Sequence, residues 1–182
     1  MDHTSPYLSE SLLVLRTAGI RHVLKAASPV PIDPLAAEPW QRVMSRVPST
    51  ASIVWTYAEL GDDLLAAPNK ERGQLWRRII AALRLPPGTV GFVPFTLPGK
   101  DGGTADFNGF LHALNRISPG LVVAFCAASE NPFRLQLESS LASMDQPPRL
   151  LITSAPDELL SMHDAAFEDY VRDLSRQTHH GR

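Results

Sequence analysis

Cysteine is almost absent from this chain. Cys126 is the single one among 182 residues, which excludes an internal disulfide framework, an iron–sulfur cluster and any multi-cysteine zinc site. It closes the apolar run Leu121 to Cys126 and reads as a small buried hydrophobe on a strand. A reactive thiol would need an electropositive, partly open pocket, and no sequence neighbour supplies one. Long apolar runs are missing too: none approaches the roughly 18 to 20 residues that cross a bilayer. The opening Met1-Asp2-His3-Thr4-Ser5-Pro6 has no basic start and no apolar segment behind it. No secretory leader is therefore expected, no membrane partner is expected, and the cytoplasm is the expected location. The formal net charge is -2, so the whole molecule is not an electrostatic trap for nucleic acid, while a local basic face stays open.

Several familiar chemistries also lack their motifs. There is no Walker loop and no GxGxxG. Gly99-Lys100-Asp101-Gly102-Gly103-Thr104 is rich in glycine but has the spacing of neither, and reads as a surface loop before it reads as a phosphate cradle. His3, His22, His112, His163, His179 and His180 form no metal-binding pair at helical spacing. His112 falls on the outer side of its helix. No serine sits in a GxSxG elbow, so no Ser-His-Asp arrangement is indicated. No metal and no cofactor is expected from these residues, and none is assigned a catalytic role.

What the chain does have is the material of an ordinary domain. Apolar residues are 44% and charged residues 20%, near globular averages and enough for a core without staples. Residues 1–48 read as a helical segment, 8–24, followed by a proline-rich connector and a short helix at 40–47. The α/β core is expected over 49–176, and 177–182 as a frayed tail. Within the core, strands are predicted at 52–57, 89–95, 121–126 and 149–153. Helices are predicted at 69–84, 105–117 and 163–175, with a short one near 133–141 in a stretch, 129–148, that is hard to read. Pro94 cannot donate to a ladder, so it marks the end of the second strand or an irregular edge. Asn69 is the expected N-cap of the 69–84 helix, and Leu75, Ile79, Ile80 and Leu83 its buried stripe. Strands alternating with helices predict an α/β fold: a three-layer α/β/α sandwich around a central, mostly parallel four-stranded sheet.

In such sheets the functional crevice lies beyond the carboxyl ends of the strands. That places Tyr57, Glu59, Asp62, Asp63, Thr96 and Ser154 as the candidate crevice residues. Carboxylates after the first strand either hold a metal or activate water, or are solvated turn residues. Lys70, Arg72, Arg77, Arg78 and Arg84 give the 69–84 helix a candidate basic surface. It is either a plain solvated face or a docking face for an acidic partner or a phosphate backbone.

The order of segments resembles the uracil-DNA glycosylase superfamily. Ile53-Val54-Trp55-Thr56-Tyr57-Ala58-Glu59-Leu60-Gly61 is similar to the family's first strand and its acidic, glycine-containing loop. Ile117-Ser118-Pro119-Gly120-Leu121-Val122-Val123-Ala124 is similar to its helix–proline–strand unit. Leu151-Ile152-Thr153-Ser154-Ala155-Pro156 resembles its last strand and His-Pro-Ser motif. The resemblance covers roughly residues 50 to 175 and implies a glycosylase-like fold. It also implies lost chemistry. Ala155 stands where the family has the histidine that stabilises the departing base, and Phe95-Thr96-Leu97 where it has a base-reading asparagine. The family's proline between the glycines of the first loop is missing. Two further segments, Leu15 to Leu24 and Ile79 to Leu85 with Pro87 and Val90, resemble the psi-subunit family of bacterial DNA polymerase III, non-catalytic adaptors on the same fold. In Leu15 to Leu24, Ala18 takes the place of that family's leucine.

These readings imply a catalytically silent glycosylase-like domain that acts by protein–protein contacts, with an unidentified partner in DNA replication or repair. The residues leave two alternatives open. One is an enzyme of another class that uses Glu59, Asp62 or Asp63 on a small molecule. The other is a nucleic-acid-binding module that uses the basic helix.

Overall fold

The β-branched and aromatic residues Ile53-Val54-Trp55-Thr56-Tyr57 suit an extended, buried strand, and in the computed structural model they form the centre of the sheet. The structure describes residues 33–98, 104–127 and 131–179. The expected helix at 8–24 and most of the loop 98–104 lie outside them. In chain order, a 3-10 turn, Pro34–Ala36, precedes α1 (Trp40–Met44), β1 (Ile53–Tyr57), α2 (Leu60–Leu65) and α3 (Lys70–Leu83). Next come β2 (Val90–Phe92), β3 (Thr96–Leu97), β4 (Thr104–Ala105), α4 (Phe107–Ile117) and β5 (Leu121–Phe125). The chain goes on through α5 (Asn131–Ala142), β6 (Arg149–Thr153), α6 (Pro156–Ser161) and α7 (Asp164–His179).

Four strands build one sheet in the order β2-β1-β5-β6, and every pairing in it is parallel. Ile53 stands opposite both Val90 and Leu121, and Leu121 opposite Arg149. Because side chains alternate across a strand, the central strands feed two cores. Ile53, Trp55, Tyr57, Leu121, Val123 and Phe125 pack on one side with Leu75, Trp76, Ile79 and Leu83 of α3 and with Phe167, Val171 and Leu174 of α7. Val54, Val122 and Ala124 pack on the other with Trp40 and Val43 of α1, Phe110 and Leu114 of α4, and Leu137 and Leu141 of α5. Helices on both faces of a parallel sheet make the three-layer α/β/α arrangement expected from the alternation of strands and helices. Cys126 is buried just past β5, where its N–H donates to the Thr153 carbonyl at 3.0 Å.

Four departures from the sequence pattern have physical causes. The second strand was expected over 89–95, but only Val90–Phe92 is in the ladder. The proline at 94 cannot donate, and Val93 and Phe95 turn their side chains into the opposite core. Thr96–Leu97 and Thr104–Ala105 form an antiparallel pair that was not expected, Thr104 having been read as surface loop and Ala105 as the start of the next helix. The short helices α2 and α6 were not expected at all; two turns carry too little periodicity to register. Finally, the last helix runs Asp164–His179, so Gln177 and Thr178 are helical and not part of a frayed tail. The Arg149 guanidinium donates to the Gln177 carbonyl, and Thr178 is buried, which holds this end down.

Trp40 shows how the N-terminal connector is fixed to the core. Its indole N–H donates to Asp106 Oδ2 at 2.7 Å, while Asp106 Oδ1 accepts the Gly109 N–H at 2.9 Å and so caps α4. A Cβ on Gly109 would lie 2.2 Å from the Trp40 ring nitrogen, so only glycine admits the indole there.

Candidate functional site

All four parallel strands end at one edge of the sheet, and the candidate crevice residues lie along that edge. After β1 the chain turns at Glu59 into α2, and α2 places Asp63 under the hydroxyl of Tyr57. Asn69 then starts α3. Its side-chain oxygen accepts the N–H groups of Glu71 and Arg72, at 2.9 and 3.1 Å, and this is the predicted N-cap. Its own backbone N–H donates to Asp63 Oδ1 at 2.9 Å. The cap thus fixes the first turn of α3 against Asp63, and Arg72, one turn on, closes on the same carboxylate. Arg72 Nε donates to Oδ2 at 2.7 Å and Nη2 to Oδ1 at 2.9 Å.

The result is a closed polar cluster. Asp63 accepts from Tyr57 Oη at 2.8 Å, from both prongs of Arg72 and from the Asn69 N–H. Trp76 Nε1 donates to Tyr57 Oη at 3.1 Å. Both charged side chains are largely buried, at 10% and 14% exposure for Asp63 and Arg72. Burial pushes the Asp63 carboxyl up, but the Arg72 bonds, the Asn69 N–H and the Tyr57 hydroxyl outweigh it and hold the group below the usual carboxylate range. The Tyr57 hydroxyl is pushed well up, first by burial and then by its bond to Asp63. The Arg72 guanidinium is held charged by its bonds to Asp63. A carboxylate with its lone pairs filled by four donors is a poor base and a poor metal ligand. Asp63 therefore acts as a structural anion.

The other candidates fall apart from this cluster. Glu59 and Asp62 sit at the start of α2, where acidic side chains favour a helix end. Thr96 Oγ1 donates to the Ala58 carbonyl, which ties β3 to the end of β1. The Thr96 carbonyl lies so close to Gly61 that a Cβ there would sit 2.0 Å from it. Nearby, Phe95 stacks on Phe133 with ring centroids 3.7 Å apart and on Phe107 at 5.8 Å. Ser154 lies past β6, separated from β1 by β5. Next to it, the Ala155 N–H donates to the Glu158 carboxylate at 3.2 Å, and Pro156 opens α6. Among the described residues, no three His, Cys, Asp or Glu side chains gather as a metal would need, and no helix is long and apolar enough to cross a membrane.

The five basic residues do not share one surface. Arg72 turns inward onto Asp63. Arg78 pairs with Asp164 at 2.9 Å and lies over the Phe167 ring, 4.0 Å from its centroid, so it joins α3 to α7. Arg84 ends α3 in the left-handed region, with φ 51°. Arg77 borders a concavity of about 290 Å³ shared with Tyr57, Trp76 and Ile80, and Lys70 is exposed at the start of the helix. Sequence reading missed Trp76, which packs against Trp55, Tyr57, Phe92 and Phe125 at 4.7 to 6.3 Å. Its signal was available, since position 76 falls between Leu75 and Ile79 on the same helical stripe. Tyr170, read from the spacing of the last helix as an inward residue, packs against the core, and its hydroxyl accepts from Thr153 Oγ1 at 2.9 Å; burial pushes that phenol up to about 12.

Comparison with models of known protein families finds no match for this chain, and comparison with curated proteins finds none either.

Proposed function

We propose that the chain is a glycosylase-fold domain without base-excision chemistry, acting through protein–protein contacts in DNA replication or repair. The observation that carries this reading is Ala155. The resemblance to the uracil-DNA glycosylases sets a histidine donor at this position, and the chain instead presents a methyl group at the first turn of α6. Each preorganised donor aimed at charge on a leaving group is worth on the order of 10²–10³ in rate.

Further support comes from the other groups at the same edge. Thr96, at the place of the base-reading asparagine, has its hydroxyl on the Ala58 carbonyl, and Asp63 is saturated by four donors. The succession of strands and helices, with the helix–proline–strand unit around Pro119, is compatible with the order of segments that carries the resemblance. The likeness of Ile79 to Val90 to the psi subunits of DNA polymerase III, which are adaptors, points the same way.

The test is incubation of a uracil-containing oligonucleotide with excess protein, then alkaline cleavage. The expected result is no abasic sites above background. Abasic sites formed at a rate typical of the family, and lost in Glu59→Gln or Asp62→Asn, would show that this edge has a catalytic solution of its own. The positive counterpart is stoichiometric co-purification of the tagged chain with a replication or repair protein from its native cell.

A further inference from the structure

Gly73 stands inside α3 with nothing within 4 Å of the place its Cβ would take. Glycine in a helix interior is less stable than alanine, because it gives up more backbone freedom. Gly61 and Gly109 have a reason within the chain, since they lie against the Thr96 carbonyl and the Trp40 ring. Gly73 has no such neighbour, and its missing side chain leaves open space beside the helix. That space belongs to a concavity of about 290 Å³. Its walls are the partly exposed Leu64, Ile80 and Phe92 and the exposed Pro68. Arg77, one turn beyond Gly73, stands exposed at the rim. Among the described residues Arg77 has no carboxylate partner, and the one carboxylate of the concavity, Asp63, is closed by Arg72.

Phe92 joins this concavity to the edge of the sheet, because β2 ends the strand order. The Ile53 N–H donates to the Thr89 carbonyl at 3.0 Å, and the Val93 N–H to the Trp55 carbonyl at 3.2 Å. In a parallel ladder, alternate residues turn their backbone groups to the same neighbour. Thr89, Gly91 and Val93 therefore bond to β1, while the N–H and C=O groups of Val90 and Phe92 point away from it. Among the described residues no strand pairs with them. The strand Val90–Phe92 carries neither a charge nor a proline to guard this edge. A second concavity, of about 390 Å³, lies beside Val90 and is lined by Ala81 and Leu85. Ile80 borders both concavities. Val90 and Phe92 share one face of the strand at a spacing of roughly 6.5–7 Å, and each has one concavity beside it.

We propose that the β2 edge receives an extended segment of a partner protein as a further strand, with alternate apolar side chains entering the two concavities and one carboxylate meeting Arg77. The main chain of the segment bonds to Val90 and Phe92, and its side chains on the α3 side repeat at the spacing of the concavities. The side chain beside Phe92 takes the space that Gly73 leaves. The proposal rests on the reading of the chain as a protein-contact domain and adds the form and chemistry of the partner. A second copy of β2 fits this edge less well, since residues 86–95 hold no carboxylate for Arg77. A nucleic-acid strand has phosphates for Arg77 but no alternating N–H and C=O groups to complete the ladder.

The test uses the full chain and a short labelled peptide in which threonine alternates with leucine and a glutamate takes the last leucine place. Fluorescence anisotropy measures binding, and amide hydrogen exchange reads where it occurs. The peptide is expected to bind saturably and to slow exchange at Val90 and Phe92, whose N–H groups it would cover. Methylating the peptide's backbone nitrogens should abolish binding. Arg77→Gln in the protein, or glutamine for the glutamate in the peptide, should each weaken binding several-fold, and the two together no further. Gly73→Met should weaken it by about tenfold or more, the equivalent of ~1.4 kcal/mol. Methionine is a good helix former, so this variant should melt no lower than the parent, which separates loss of the site from loss of the fold. Arg134→Gln, on α5 at the opposite face of the sheet, should leave binding unchanged. The assignment is overturned if the peptide does not bind, or binds without protecting Val90 and Phe92. It is also overturned if Gly73→Met or Arg77→Gln binds as well as the parent, or if self-association of the chain protects the same two N–H groups. Failure of the peptide without uracil excision removes the strand site alone. Uracil excision removes the protein-contact reading itself.

Discussion

Asp63 and Arg72 meet in a two-pronged ion pair, at 2.7 and 2.9 Å, that is shielded from solvent beneath the Tyr57 hydroxyl and the first turn of α3. The pair explains why a carboxylate at the carboxyl end of a central strand, a position open to chemistry, has none to offer here. It also joins α2 to α3 through one anion.

Removing both members of the pair should cost less than the sum of removing each alone. Arg72→Met leaves the Asp63 charge largely buried without its cation, and a change of this kind costs roughly 3 kcal/mol. Asp63→Asn should cost a similar amount. The double variant Asp63→Asn with Arg72→Met should cost less than the two single changes together, by about 1–3 kcal/mol. Urea unfolding of the four proteins at neutral pH measures this, and simple additivity would show that the pair is not a unit. The same carboxylate sets an acid limb. Its folded-state pKa lies below its unfolded value, so the stabilisation is complete above the unfolded carboxylate range near ~4 and is lost as pH falls through the folded value. The stability gap between the parent and Asp63→Asn should therefore narrow below pH ~4. A gap that stays constant down to strong acid would contradict the assignment.

Two glycines give opposite predictions from the same substitution. Gly61 in α2 lies against the Thr96 carbonyl, where a Cβ would stand at 2.0 Å from a backbone atom that has no easy retreat. Gly61→Ala should therefore cost on the order of 2–3 kcal/mol, as overpacking does, and should loosen the Thr96 contact with Ala58. Gly73 lies inside α3 with nothing within 4 Å of its Cβ position. Gly73→Ala should add up to about 1 kcal/mol from helix propensity alone. Thermal melts of the two variants decide it; equal shifts in one direction would mean that the two backbones are not placed as described.

The layers of this fold could be read from residues, and the site could not. Val122 and Val123, or Trp55 and Thr56, show no alternation because both faces of their strands are buried, and that continuous apolar run is itself the mark of a central parallel strand. Leu75, Ile79 and Leu83 announce α3 by spacing, and Asn69 announces its start by its capping side chain. What stayed hidden depends on contacts distant in sequence. Arg72 and Arg78 are equally basic and six positions apart. Only tertiary packing turns the first onto Asp63 and leaves the second over Phe167. Asp62 and Asp63 are adjacent and chemically identical, yet only Asp63 faces Tyr57. The surface lined by Arg78, Arg84, Arg172 and Arg176 draws on α3 and α7, which are far apart in the chain, so neither helix alone displays it.

Tyr57 and Tyr170 should make the alkaline limb of stability steep. Tyr57 is buried in one core and Tyr170 packs half-buried against the same core, the first bonded to Asp63 and the second to Thr153. Burial disfavours the phenolate, so both folded-state pKa values are raised above the ordinary value of ~10, that of Tyr170 to about 12. A raised folded pKa means that the unfolded chain releases the proton first. The stabilisation is therefore complete below pH ~10 and is lost as pH rises through the folded values. For Tyr170 the loss amounts to on the order of 2 kcal/mol between pH 10 and 12, after allowance for partial exposure to solvent. Tyr57, whose hydroxyl also donates to an anion, extends the loss further in the same direction. Tyr170→Phe and Tyr57→Phe should each flatten the fall in stability above pH ~10, because phenylalanine has no proton to release. Absorbance titration of tyrosinate in the parent should show these two rings ionising late and together with unfolding. If either ring titrated near its ordinary value while the chain stayed folded, that hydroxyl would be open to solvent, and the closed cluster around Tyr57 or the Thr153–Tyr170 contact would not exist in solution.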